Sequence, residues 1–528
     1  SSAASDVYKR QLQRHEENNS LLLAAQVCSL VYSFDGEKID TDFQLARLAR
    51  LIGQNTTELY RHVAELMRRD LIQHRGPWRA VLPHALANRL ATTALENIPH
   101  QIIEKEFFEI GSEHLARSFS RRLSFLHESK QAVSIVIEWL KPEGMLGDLS
   151  KLNELGNAML NNIAPVQPDA TLAVLERGAN QLTERSAEAL AQHITLIRSL
   201  AYDSHLFERS ASLILKILVN EKVERGSWSV LSHFSSLFHI YLSGTHASVD
   251  QRLKFIGPLL NSSEQKMRDI GLKALDAMLV SSHFTSHYHF DFGARPRDYG
   301  YHPVGIEYIN WFAAVISEVE NIAGKRSDVE SEVITLVARH FRALWKIEGI
   351  AEQLEAFCRK RAAIAFWREG WEACKFAILY DKSDDVLEKD SRLKLLEKEL
   401  RPKDFVQKVQ AFVLGDRSGT LDPEELLDGS DGIGASERLD AKAFELGSTA
   451  AIEKEKFDEL LPHLVRGGNR VGAFSEGLIS NAKDPRAIWE KLVTQYRVTS
   501  EADRSAQILR VVLSALHKID KPLVDNLL

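Results

Sequence analysis

From about Gln101 to its end, the chain repeats one pattern. Apolar residues fall at helical spacing in segments of roughly 10–20 residues, and short polar breaks separate them: KPEGMLGD, APVQPDA, NEKVERGS, NSSEQ. A helix with one apolar face buries that face only against a neighbour, so a long series of them has to stack. The expected fold class is therefore mainly α, with an irregular α-solenoid of HEAT/TPR-like helical repeats. No fixed period stands out, so a TPR or ankyrin consensus is not supported and irregular HEAT-like pairs fit better.

Composition narrows the function classes. The 528 residues suffice for several domains, and 44% hydrophobic with 26% charged residues is the balance of a globular chain with a core. A net charge of −7 gives no global pull toward nucleic acid or membrane, so any such contact needs a local patch. The three cysteines, Cys28, Cys358 and Cys374, form no C-x-x-C pair, and an odd count argues against a disulfide framework. A reducing cytoplasm is the expected setting. No stretch has the apolar length of a membrane span, and the first twenty residues hold no signal-peptide apolar core.

The N-terminal region reads differently. Asp6 to Gln11, DVYKRQ, resembles the translation of a sequencing-adaptor end, so residues 1–11 are set apart as a non-native scar and the chain is expected to be a fragment. SLLLAAQVCSLVYSFD, Ser20 to Asp35, predicts an apolar helix capped by Ser20. FQLARLARLIGQ and TTELYRHVAELMRRDLI predict two short helices joined at Gly53, the second with a Thr cap; LIQHRGPWRAVLP predicts two strands around Gly76-Pro77. Helix, helix-turn-helix and hairpin together predict a winged helix over 12–99. A solenoid over 100–413 follows, with an ordered loop near 281–303. A linker over 414–437 and a C-terminal helical segment over 438–528 complete the expected organisation.

Two features of the winged helix carry chemistry. Its second helix offers Arg61, His62, Arg68 and Arg69, and the hairpin adds Arg75. From Phe43 to Ile98 there are eight arginines and no lysine against four acids, a local excess that permits contact with DNA or another domain without demanding it. Arg61, Arg68, Arg69 and Arg75 are the candidates for that contact; surface ion pairing is the plainer alternative. The second feature is His84, which follows the hairpin and opens the helix HALANRLATTAL. Free backbone N–H groups and the positive end of the helix dipole suit a phosphate there. A cap on its own helix is the other reading.

LPHALANRLA at the end of a winged helix resembles the corresponding stretch of the STAND class, the signal-transduction ATPases with numerous domains. LARSFSRRLSFLHES, LGDLSKLNELGNAMLNNIAPVQPDATLAVLERG and HFDFGARPRDYGYHP resemble the C-terminal part of bacterial STAND proteins. The resemblance implies a winged helix packed on a P-loop ATPase module, with the histidine reading the β-phosphate of ADP. It also implies a solenoid that senses a trigger, and service in antiphage defence for several members. Pro83 and Ala85 flank His84 where the better-known motif has Met and Asp. On this reading His84 is the nucleotide-sensing candidate. The ATPase module, with its ATP or ADP and Mg²⁺, lies upstream of the fragment and is its first partner. A protein trigger on the solenoid is the second, and oligomers form only with that module.

The chain itself carries no G-x-x-x-x-G-K-[ST]: Gly324-Lys325 is followed by Arg326, and position 319 is Val319. Catalysis and a cofactor are therefore not expected of it. GSDGIGAS, Gly429 to Ser436, has no preceding strand and reads as loop. DRSGTLDPEEL lacks the glycine and terminal acid of a calcium loop. His283, His287 and His289, with Asp291 and His302 nearby, lack H-E-x-x-H and lie among aromatics, so no metal is assigned. Phe366, Trp367 and Trp371 stand at helical spacing as core or as a ligand-facing patch. The alternative function is a winged-helix DNA-binding regulator with a helical ligand- or partner-sensing domain; a plain scaffold is the third. Weak or no nucleic-acid binding and no membrane contact are expected under the first.

Overall fold

The computed structural model describes residues 19–38, 40, 42–108, 112–180, 190–220, 230–284, 291–326, 329–380, 387–415, 432–501, 503–519 and 521–527. Within them the fold is mainly α, with one three-stranded sheet. The chain divides into two compact units, Ser1–Met278 with His283–Val304, and Leu279–Ser282 with Gly305–Leu528.

The first unit begins with α1, residues 19–29. This helix is shorter than expected, and Ser20 lies inside it rather than at its cap. The chain leaves the helix because Phe34–Asp35 (β1) pairs antiparallel with the hairpin, Phe34 opposite Arg79. Periodicity could not separate that strand from the apolar helix before it. The expected helix pair is α2, Gln44–Leu51, and α3, Thr56–Arg68. The cap of α3 is Asn55 rather than a threonine: its side chain accepts from Glu58 N, and Glu58 returns the bond to Asn55 N. The hairpin is β2, Ile72–Arg75, with β3, Trp78–Val81, in the register Ile72 to Val81 and Arg75 to Trp78. Gly76 takes φ +58 at the turn, where a side chain would be strained. Leu45, Leu48, Leu59, Val63, Leu66, Ile72 and Val81 meet as the core of this region.

Three helices follow without a break in packing: α4, His84–Asn97; α5, His100–Phe108; and α6, Glu113–Leu123. Fully buried Arg47 of α2 reaches the Asp42 and Glu106 carbonyls, at 3.0 and 2.8 Å. Ser118 of α6 accepts from Ser33 N at 2.8 Å and donates to Ser33 O at 2.6 Å. These ties hold the helices beyond residue 99 to those before it, and the two compact units do not part there.

The remaining helices of this unit run from α7, Lys130–Leu140, through α8, Glu154–Ile163, and α9, Pro168–Ala179, to α10, Ile194–Leu200. α11, Ser204–Asn220; α12, Val230–Ser236; α13, Val249–Leu260; and α14, Gln265–Leu279 follow. Ser129, Asn153 and Ser248 each cap a helix, and Pro168, in the break APVQPDA, takes the first turn of α9. Residues 291–303 form neither helix nor strand and lie as a strap across this unit. Ala294 N donates to Ser124 O, Arg297 reaches Ser199 O at 2.6 Å, and Tyr301 N donates to Thr245 O at 2.7 Å. The loop 237–247 is organised by Arg252, which is fully buried and bonded to the carbonyls of Leu237, His239, Thr245 and Ala247 and to the Ser243 hydroxyl.

The described elements of the second unit are all helices. It runs through α15, Ile306–Lys325; α16, Glu330–Trp345; α17, Ala351–Ile364; α18, Arg368–Tyr380; α19, Leu387–Leu400; and α20, Phe405–Phe412. It continues with α21, Gly432–Ile452; α22, Lys454–Leu464; α23, Val471–Ser480; α24, Pro485–Val498; α25, Gln507–Ile519; and α26, Lys521–Leu527. Helices pack on the next but one as well as on the next, as stacked pairs do. A spacing of 40 residues recurs in the bonds between pairs: Gln353 to Ala313 O, Lys360 to Glu320, Arg392 to Glu352 and Arg359 to Glu399. The tightest joint is α21 on α23. A Cβ on Gly447 would lie 2.0 Å from Phe474 O, and one on Gly477 would lie 2.0 Å from Phe444 O. No described helix is long and apolar enough to cross a membrane.

The linker expected over 414–437 lies mostly outside the described residues. Gly432 to Ser436, expected as loop, opens α21 instead; the long helix absorbs its small residues.

Candidate functional site

β3 ends at Val81, and Pro83 brings the chain into α4 with His84 as the first helical residue. Leu86 N and Ala87 N fold back onto Pro83 O, which leaves His84 N and Ala85 N without an acceptor among the described residues. No side chain caps this end and no acid stands in its first turn. The helix therefore presents donors and its positive pole with nothing to meet them.

Around that open end the fold gathers groups from distant parts of the sequence. The rings of Tyr32 and His84 stack at 5.1 Å, and Phe125 stacks beside both, at 6.1 and 6.4 Å. The Tyr32 hydroxyl meets His84 Nε2 at 3.4 Å. Arg121, exposed at the end of α6, lies over the Tyr32 ring at 4.1 Å. Arg122 is fully buried beneath them, with its guanidinium carbon 5.5 Å from the Tyr32 ring centre. Its Nη1 donates to Asn88 Oδ1 at 2.6 Å, one turn along α4 from His84, and its Nη2 meets Val31 O at 3.5 Å; its Nε has no partner. No acid pairs with Arg121 or Arg122 among the described residues.

The electrostatics follow from that arrangement. Burial lowers the His84 pKa below its ordinary 6.5, and the positive charges of Arg122 and Arg121 lower it further. With its pKa held below 6.5, the ring is largely neutral at pH 7. Burial likewise brings Arg122 down to about 10, still charged at neutral pH. The corner thus offers the exposed Arg121 guanidinium, an imidazole and two backbone N–H groups, with the buried charge of Arg122 behind them. Such a set can hold an oxyanion.

The other residues singled out in the sequence are distributed as follows. On α3, Glu65 bonds both Arg68, at 3.1 Å, and Arg69, at 2.8 Å. Arg61 and Arg75 are exposed and find no partner among the described residues, and His62 faces Gln54 at 3.1 Å. Trp367 and Trp371 are buried. Trp371 packs edge-on against Phe412 and donates to Glu397 at 2.8 Å, and Trp367 packs against Phe357. The ligand-facing patch is corrected to core, because both indoles are consumed between helices; Phe366 is half-buried beside Trp371. His287 and His289 lie outside the described residues. Asp291 is described, and His302 packs on Tyr241 at 4.6 Å. Among the described residues no three metal-ligating side chains converge. The second unit has a cleft of about 900 Å³ lined by Phe405, Ile452, Lys454 and Lys483, whose mixed acids and lysines set no charge preference.

Sequence reasoning found His84 and missed Tyr32, Arg121, Arg122 and Phe125. Tyr32 lies 52 residues from His84, and Arg122 lies 34 from Asn88, so no local pattern joins them. The one available signal was the pair of adjacent arginines in SFSRRLSF, with no acid beside them. No protein-family model matches the chain, and no curated protein matches it.

Proposed function

We propose that this chain is the regulatory and sensor part of a STAND-type P-loop ATPase and itself carries no catalysis. Its N-terminal region acts as a winged helix that closes on a nucleotide-binding module, and the helical repeats receive a protein trigger. The observation that carries the reading is the open, acid-free start of α4, where His84 stands between Arg121, Arg122 and unpaired N–H groups. That end would meet the β-phosphate of ADP and hold the resting state closed. A single hydrogen bond to a charged group contributes on the order of 1.5–3 kcal/mol, enough to shift a two-state switch roughly ten-fold or more.

The rival reading, a DNA-binding regulator, rests on the face of α3. Arg68 and Arg69 are already bonded to Glu65, which leaves Arg61 there, with Arg75 of the hairpin, as the exposed cations without a partner among the described residues. Two phosphate contacts support only weak, salt-sensitive binding.

The test uses an intact homologue that includes the ATPase module. Replacing the histidine equivalent to His84 with alanine is expected to speed ADP release and raise activity without the trigger. Changing the position equivalent to Arg61 to glutamine should alter neither. Unchanged ADP release and resting activity in the histidine variant would reduce His84 to a helix-start residue and remove the reading.

A further inference from the structure

We propose that residues 291–303 are a releasable internal ligand of the first unit, and that the row of helix ends beneath them is a docking surface for an extended protein segment carrying Arg-x-Arg. The inference stands apart from the start of α4 and does not depend on the ATPase reading.

Alternate helices make the row. Ser124 closes α6, Pro165 follows the end of α8, and Ser199 lies in the last turn of α10. A helix end presents carbonyls and the negative pole of its dipole, which attract a cation or an N–H donor. The strap meets these ends in chain order. Ala294 N donates to Ser124 O and Arg295 Nε to Pro165 O, and Arg297 Nη1 reaches Ser199 O and Oγ at 2.6 and 2.7 Å. Beyond them, Asp298 accepts from the Tyr202 hydroxyl at 3.2 Å and lies 3.0 Å from His246 Nε2, and Gly244 N donates to Tyr299 O. Gly300 allows the close seating, since a Cβ there would lie 2.4 Å from Thr245 N. The row therefore reads an extended backbone, two guanidinium groups with one residue between them, and a carboxylate.

Two observations make the strap an occupant rather than a part of the core. Phe292 is the one large apolar side chain it buries, and Arg297 of the strap itself covers that ring, at 3.6 Å from its centre. Ala294, Pro296, Asp298, Tyr299 and His302 are exposed. A segment that buries so little apolar surface opens at a low free energy. The helices beneath pack on one another, α6 on α8 and α10 on both α9 and α11, so they keep partners without the strap. A second protein that offers the same groups can then take the row as the strap leaves it.

The test uses the whole chain and a fluorescent peptide of the strap sequence, DFGARPRDYGYHP, followed by anisotropy. In the parent chain the tethered strap competes at an effective concentration of roughly millimolar, so the free peptide should bind weakly. Arg295→Ala combined with Arg297→Ala loosens the tethered strap and leaves the row intact. This variant should bind the peptide about ten-fold or more tightly than the parent does, and a peptide with both arginines replaced by alanine should lose that gain. Gly300→Val forces the strap off Thr245 but keeps its arginines; as the second variant it should act in the same direction. Hydrogen exchange is read on the same proteins. The amides of Ala294 and Tyr301 should exchange faster in both variants, with α6, α8 and α10 unchanged. Faster exchange throughout those helices would make the strap part of the fold and overturn the proposal. Unchanged exchange at the strap would do the same, as would a released strap with no gain in peptide binding, or equal binding of the two peptides. None of these results bears on the histidine variant of the intact homologue, which tests the ATPase reading separately.

Discussion

Arg252 and Arg122 are both fully buried in the first unit, yet they occupy opposite situations. Every nitrogen of Arg252 is met, by four carbonyls and a hydroxyl of one loop. Arg122 is met at two nitrogens and open at the third. The first is a cation used as a scaffold: it replaces the backbone bonds that the loop 237–247 does not make for itself. The second ties α6 to Asn88 of α4 and keeps one buried donor unbonded. Burial alone does not tell the two arginines apart; the state of the last donor does.

The largest effect expected from this contrast is on stability. Arg252→Met strands several buried carbonyls and should cost about 3–5 kcal/mol. Arg122→Met strands only Asn88 and one long carbonyl contact, and should cost less than half as much. Calorimetric melts of the two variants check this; equal losses would erase the difference between the two arginines.

Acid should sharpen the contrast through the histidine beside each arginine. His239 is brought down to about 4 by burial, then by Arg252 and Arg198, with Asp276 opposing. Its folded pKa lies below its unfolded 6.5, so the unfolded chain takes up the proton first. Its contribution is intact above pH 6.5 and is lost as the pH falls to about 4, on the order of 3 kcal/mol in all. His84, lowered in the same direction but exposed, should add little. His239→Gln should flatten the stability curve in that window more than His84→Gln does. An identical slope in both variants would contradict it.

The smallest effect belongs to the surface arginines. Arg68 and Arg69 share Glu65 in solvent, and Arg69→Ala should change stability by less than about 0.5 kcal/mol. A denaturant melt showing a loss above 1 kcal/mol would mean that α3 depends on its charged face.

What the sequence made legible follows the range of the interactions. The helix pair and the hairpin were readable because Leu45, Leu48, Leu59, Val63 and Leu66 keep the helical period and Gly76-Pro77 marks a turn. β1 was not, because two residues at the end of an apolar run carry no period of their own. The repeat was half legible. Helices showed, but the spacing of 40 lives in ion pairs such as Arg359 with Glu399, whose partners need only opposite charge and leave no identity to align. At the site, His84 was visible as a helix-opening residue, whereas Arg122 meets it only through tertiary packing. An aromatic run such as Phe366 to Trp371 looks alike whether it faces a ligand or a neighbouring helix, and here it faces the helices.

Where α21 meets α23, Gly447 and Gly477 let backbone touch backbone in both directions. Elsewhere in a stack of helices, side chains act as a compressible layer: they change rotamer and let one helix slide past the next. At this joint there is no such layer. A pull applied to the last helices would therefore be taken up by the springier contacts on either side, while α21 and α23 moved together as a single stiff link. In a protein whose repeats are strained by a partner, that link would act as the fixed point from which the rest of the coil is levered.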